Sequence, residues 1–319
     1  MSIRNEAEII ESWKEDSFIV SIICNTYNHV NYISQTIESF LEQRTRFGIE
    51  ILIHDDASTD GTSQVIRKFE NEYPAIIKPI YQSENQYSKG IKPAFEYQYP
   101  RAKDKYVALC EGDDFWTDPL KLQKQIDYLE ENPQYSICCT NYSEVNSKGV
   151  VLKENVWRGN RLNPVITHEM ILEEYKPKFL TSVFRREAIK NGVPPLFYKA
   201  FNTDNFLCAI ATEYGPACFL NFTSGCYRVH NQGVWSSKTE IQQFEMQLKS
   251  FLVMAEYFSK DYQKKSITKR IYSIKRKLSR LYLKEKNISK SMDQIRYMFP
   301  INPADTVKVV VGNLLSIVK

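Results

Sequence analysis

Glu111, Asp113 and Asp114 fall within four residues, directly after the apolar run Tyr106-Val-Ala-Leu109. Carboxylates grouped in this way are hard oxygen donors that suit Mg²⁺ or Mn²⁺. Such ions take one or two carboxylates and complete their shell with water and phosphate oxygens. An ion held so neutralises a diphosphate and acts as a Lewis acid on a phosphate leaving group. Gly112 lets the chain turn tightly between the acids. The same cluster is also what an exposed turn ahead of a helix starting at Pro119 would look like. Two further stretches carry matching chemistry. Tyr27, in Asn25-Thr26-Tyr27-Asn28, offers a ring on which a base can stack. Asp55 and Asp56 offer acceptors for a base imide or a ribose hydroxyl. Asp60-Gly61 reads as ordinary helix-start chemistry. No GxGxxG follows the first apolar run and no GxxxxGK[ST] occurs, which argues against the usual dinucleotide and P-loop sites.

Each of these stretches follows a strand-like run. The runs are Phe18–Cys24, Ile49–His54, Ile76–Ile80 and Tyr106–Cys110, separated by helical patterns over 32–43, 62–71 and 92–103. Near-continuous apolar strands alternating with helices predict an α/β, doubly wound and mainly parallel sheet covered on both faces. Ligands of such sheets sit outside the carboxyl ends of the strands. The polar tips there are 25–28, 55–61, 83–86 (which includes Asn85) and 111–114. Further on, 119–132 reads as a helix, 135–141 and 179–184 as strands, and 203–213 as a helix. From Ile241 onward the periodicity is helical throughout, with Phe244, Leu248, Phe251, Leu252 and Ala255 on one face. The expected division is 1–236 and 237–319.

Asn25-Thr-Tyr-Asn28, His54-Asp-Asp-Ala-Ser-Thr-Asp-Gly-Thr62 and Cys110-Glu-Gly-Asp-Asp-Phe-Trp-Thr-Asp-Pro119, in this order and spacing, resemble family 2 glycosyltransferases of the GT-A (Rossmann-like) fold. The resemblance runs over roughly residues 18–236. It implies transfer of a sugar from a nucleotide-sugar donor to a hydroxyl acceptor, with inversion, in cell-surface polysaccharide or glycan synthesis. It implies donor contacts from Thr26, Tyr27, Asp55, Asp56, Asn85, Glu111, Asp113 and Arg228. Metal contacts are expected from Asp113, Asp114 and His230, to Mg²⁺ or Mn²⁺. Asn25 stands where proline is usual and Glu111 where aspartate is usual. Asn202-Thr-Asp-Asn205 occupies the place of the family's catalytic base, which points to Asp204. A base is required there, since an acceptor hydroxyl is a poor nucleophile until a carboxylate takes its proton. Tyr227-Arg-Val-His230 matches an Arg-x-His that reaches the diphosphate and the ion. Trp116 is assigned to the floor of the sugar or acceptor pocket, or to the core. The alternatives are a sugar-nucleotide pyrophosphorylase, which needs a Gly-rich basic loop that 25–28 does not supply, and a nucleotide-sugar-binding protein without turnover.

Composition sets the surroundings. Hydrophobic residues make up 43% and charged residues 25%, the balance of a globular chain. There is no apolar run of spanning length, and the polar, acidic first residues do not read as a signal peptide. Seven cysteines without metal-type spacing read as reduced thiols, hence a cytoplasmic protein. From Ile241 on, sixteen Lys and Arg stand against six Asp and Glu, while the rest of the chain is net acidic. With the apolar face expected over Val307, Val310, Val311, Leu314, Leu315 and Val318, this predicts peripheral contact at the inner face of a membrane, or a homodimer through the C-terminal helices. The expected partners are the nucleotide sugar and a glycan or lipid-linked acceptor, with no nucleic acid.

Overall fold

The computed structural model describes residues 4–14, 18–103, 105–158, 164–174, 177–231 and 233–317. Its strands are β1 (Phe18–Thr26), β2 (Gly48–Asp55), β3 (Ile80–Tyr81), β4 (Tyr106–Leu109), β5 (Phe115–Trp116), β6 (Ile137–Asn146), β7 (Val151–Lys153), β8 (Val165–Ile166), β9 (Val183–Arg185) and β10 (Ala217–Val229). Its helices are α1 (Glu6–Glu11), α2 (Ile33–Leu41), α3 (Thr62–Glu72), α4 (Lys121–Glu131), α5 (His168–Glu173), α6 (Thr203–Thr212), α7 (Glu240–Tyr257), α8 (Asp261–Lys284), α9 (Ile288–Met298) and α10 (Pro303–Ile317). The chain divides into two compact units. The first comprises residues 1–171, 175–194 and 207–230, and the second 172–174, 195–206 and 231–319.

The first unit holds the sheet, in the order β3-β2-β1-β4-β9-β6-β10-β5, with β7 beside β6 and β8 beside β10. β2, β1 and β4 run parallel, as do β6 and β10, and antiparallel β9 joins the two blocks. Every residue of β2 is buried, as a central parallel strand covered on both faces requires. That includes Glu50, whose carboxylate accepts from Ser21 Oγ at 2.7 Å. The mixed α/β architecture and the helical C-terminal region agree with the sequence. Three local expectations change. The strand over 179–184 is a 3₁₀ turn (Phe179–Thr181) followed by the short β9, which starts only at Val183. The helix over 92–103 is a π-turn (Ala94–Gln98) followed by a 3₁₀ turn (Tyr99–Arg101), because Pro93 and Pro100 deny the backbone regular helical bonds. The strand over 76–80 shrinks to Ile80–Tyr81 plus one bridge from Ile77 to Ile51.

α4 carries Lys121 wholly buried, with Nζ donating to Gln125 Oε1 at 2.8 Å and lying 4.3 Å from the Trp116 ring centroid. Burial lowers its pKa to about 7, against the opposing pull of Cys110, Cys138, Asp118 and Cys139. All seven cysteines are free and buried.

In the second unit, α7, α8 and α9 form a helical layer around Phe251, Met254, Ile267, Ile271, Ile274 and Leu278. Each such side chain contributes roughly 1.5–3 kcal/mol on burial. Thr239 and Gln242 close a capping box at the start of α7. Tyr272 Oη donates to Asp305 at 2.8 Å and so fastens the start of α10 to α8. Val309 of α10 is buried while Val307 is 51% exposed. The side chains after residue 310, which carry the rest of the expected apolar face, lie outside the described residues.

Candidate active site

The tips of β1, β2 and β4 meet because their strands are parallel and adjacent. Gly112 N donates to Asn25 O at 2.8 Å and Asp56 N donates to Thr26 O at 3.0 Å. Glycine at 112 is a requirement of this approach. A Cβ there would lie 2.7 Å from Thr26 Cβ and Oγ1 and 3.1 Å from His29 Nδ1. Thr36 of α2 donates to the carbonyls of Gly112 (3.0 Å) and Asp114 (2.7 Å), clamping the acidic turn from beneath.

The acids of that turn separate by environment. Asp113 Oδ2 accepts from His230 Nε2 at 2.9 Å, with His29 Nε2 3.9 Å away. Burial opposes ionisation of Asp113, but the His230 hydrogen bond and the charges of His29 and His230 bring its pKa below the ordinary value. Asp114 is 4% exposed and accepts from Arg228 N at 2.8 Å. Burial, with the Asp113 charge beside it, pushes its pKa well above the ordinary value. Asp114 therefore ties the turn to β10 rather than pointing outward. Glu111 is partly exposed. Arg228 is also engaged: Nε donates to Asp113 O at 2.8 Å, Nη2 donates to Gln35 Oε1 at 2.7 Å, and the guanidinium lies over Tyr32.

The β2 tip is equally occupied. Asp55 accepts from Ser58 N and from Ser63 Oγ. Asp56, 3% exposed, accepts from Gln86 N at 2.7 Å and Tyr87 N at 3.0 Å, so it orders the third loop. Asn85 in that loop donates to Asp56 O at 3.2 Å and accepts from Ser88 N. Thr26 is buried, with Oγ1 lacking a partner. Tyr27, by contrast, is 45% exposed, its ring available beside this cluster. Trp116, expected in the pocket or the core, lies in the core: it is 3% exposed, its Nε1 donates to Leu180 O at 2.8 Å, and Phe40 packs 4.6 Å from its ring.

Asp204 belongs to the second unit, in the first turn of α6, where it accepts from Asn205 N at 2.8 Å. Ser250 Oγ accepts from Phe201 N and Asn202 N, which fixes the approach to that turn.

Sequence reasoning missed His29, Gln35 and Thr36. The chain has only four histidines, and one lies two residues past Tyr27; that scarcity was the available signal. Among the described residues, no group of three or more His, Cys, Asp or Glu side chains is arranged to hold an ion unaided. The Asp113–His230 pair nonetheless has the spacing for one, in the tautomer that carries the His230 proton on Nδ1 and frees Nε2 as a ligand. Two ligands on adjacent corners of an octahedron with bonds of about 2.1 Å sit roughly 3 Å apart, and Asp113 Oδ2 and His230 Nε2 are separated by 2.9 Å. The buried Nδ1 of neighbouring His29 has no hydrogen-bond partner.

The model of the family described as glycosyl transferase family 2 matches residues 21–192. An uncharacterised protein of Mycobacterium bovis is 32% identical over 221 residues, covering 68% of this chain and 61% of that protein. The chain thus spans about three-fifths of the length of that relative. The Escherichia coli UDP-Glc:alpha-D-GlcNAc-diphosphoundecaprenol beta-1,3-glucosyltransferase WfaP is 38% identical over 112 residues, 35% of this chain and 41% of that enzyme. Among solved structures, the mannosyltransferase PcManGT of Pyrobaculum calidifontis, in complex with GDP-Man and Mn²⁺, superposes with a TM-score of 0.62 at 16% identity, covering 96% of this chain and 82% of that one.

Proposed function

The chain belongs to glycosyl transferase family 2, and on that premise we propose that it moves a sugar from a nucleotide-sugar donor to a hydroxyl acceptor, with inversion, in the synthesis of a cell-surface polysaccharide or glycan. The observation that carries this reading is the Asp113–His230 pair, held 2.9 Å apart at the tip of a parallel sheet beside an exposed tyrosine ring. Tyr27 stacks on the base. Glu111 and Asn85 take the ribose side of the donor. Asp55 and Asp56 act from beneath, since their carboxylates hold the loops that frame the base.

Asp113 and His230 would hold Mg²⁺ or Mn²⁺, which supplies charge neutralisation at the diphosphate leaving group. Asp114 and Arg228 position Asp113: one bonds the backbone of β10, the other the carbonyl of Asp113 itself. Asp204 is assigned as the base that takes the proton from the acceptor hydroxyl as it attacks the anomeric carbon. The name of the Escherichia coli relative supports a lipid-linked glycan acceptor. Among the described residues no helix is long and apolar enough to cross a membrane. Contact with such an acceptor is assigned to the C-terminal helices on the ground of their basic charge. Residues 1–236 are taken as the catalytic part.

The test is a panel of nucleotide sugars scored by thermal stabilisation with and without Mn²⁺, followed by a donor-hydrolysis assay. One donor should stabilise the protein only with the ion, and Asp113→Asn should remove that dependence while retaining the fold. Turnover unaffected by EDTA would overturn the metal assignment. Stabilisation without any turnover would leave a binding protein.

A further inference from the structure

A cavity of about 480 Å³ opens at the end of the sheet opposite the acidic turn. Lys103, Lys105, Arg185, Arg186 and Lys190 line it, with Glu187 as the lining carboxylate. Lys105 and Arg185 flank the first residue of β4, Arg185 being paired with Tyr106 across β9. The acidic turn follows the last residue of β4. About 13 Å of strand therefore separates the two places, and both belong to the first unit.

The five cations differ in what already engages them. Arg185 donates to Tyr135 O, to Tyr106 Oη and to the carbonyl of Leu129, so it is a fixed wall. Lys105 pairs with Glu130 at 2.6 Å and Lys190 with Glu187 at 2.5 Å. Among the described residues Arg186 has no such acceptor. Its Nε is buried without a hydrogen-bond partner, and its guanidinium lies 5.8 Å from the Tyr99 ring centroid. Its backbone is anchored, with N donating to Lys105 O at 2.9 Å and O accepting from Tyr99 Oη. Lys103 is exposed and makes no ion pair among the described residues. Among the described residues, five cations stand against Glu187 and Glu130, and a guanidinium nitrogen of Arg186 lacks an acceptor.

We propose that this cavity binds a compact phosphorylated anion carrying at least two negative charges, gripped by Arg186 and Lys103. Arginine presents a planar fork that matches phosphate oxygens, and lysine adds a point charge. The volume is that of a small-molecule site. The lining has no aromatic ring, so the ligand is a diphosphate, a sugar phosphate or a phospholipid headgroup rather than a nucleoside. The site is independent of the donor reading.

Calorimetry on the full chain in the Asp113→Asn background, without divalent ions, removes the donor site from the measurement. The probes are inorganic pyrophosphate and a monomeric short-chain phosphatidylglycerol. Lys103→Glu, an exposed change that leaves packing intact, and Arg186→Ala should each weaken binding at least tenfold, and Lys103→Glu should flatten its salt dependence. Loss confined to pyrophosphate assigns a soluble ligand; loss confined to the lipid assigns a headgroup. Equal binding before and after both substitutions, or no binding of either probe, overturns the site.

Discussion

Glycine at 112 is the residue on which the acidic turn depends, because the chain there runs against Thr26 with no room for a methyl group. Gly112→Ala is expected to destabilise by about 1–3 kcal/mol, the usual cost of overpacking. It should weaken donor binding more than that figure implies, since it moves Asp113 away from His230; calorimetry with the donor alongside thermal melts checks both. Asp204→Asn keeps the side-chain shape and removes the proposed base. Turnover should fall roughly 10²–10⁴-fold with donor affinity near normal, and wild-type turnover would remove Asp204 from the mechanism. The sequence marks these residues as candidates but does not show which neighbours each one meets. Asp113 and Asp114 are neighbours of the same type. What separates them is that Asp114 lies under the N–H of Arg228, more than a hundred residues away. No local pattern encodes that contact.

At the scale of elements, the parallel strands were readable because strands buried on both faces appear as near-continuous apolar runs, β4 most plainly. β10 was not. Its middle carries Asn221, Thr223 and Ser224 and it shifts register twice against β6, so it shows neither an apolar run nor clean alternation. The insertion of β9 between β4 and β6 is likewise set by distant pairing. α4 supplies a prediction of its own. Lys121 has a folded pKa near 7 and an unfolded one of about 10.4, so the unfolded chain binds the extra proton between these values and stability rises with pH across that window. Lys121→Met should flatten the rise between pH 7 and 10 in urea titrations. An unchanged slope would mean that the ammonium is hydrated in the folded state.

At the scale of the molecule, the two units invite separate probes. The basic helices of the second unit, with Ile288, Phe299 and Val307 exposed by 62%, 52% and 51%, are expected to carry the protein down with phosphatidylglycerol vesicles at low salt and release it at high salt. Each cation near such a surface contributes about 1 kcal/mol. Absence of sedimentation at low salt would favour a homodimer through the same helices, read by analytical ultracentrifugation. The cysteines serve the first unit in a different way. Positions 24, 110, 138, 139, 208, 218 and 226 all fall within it. Burial raises the pKa of the thiols at 24, 110 and 139 and so suppresses the reactive thiolate there. A thiol-specific dye is thus a clock for the opening of the first unit: it stays dark while the C-terminal helices fray and reacts only when a strand, the turn after it, or α6 with its Cys208 comes away. Labelling rates followed against denaturant would resolve which half of the chain unravels first, with no engineered reporter.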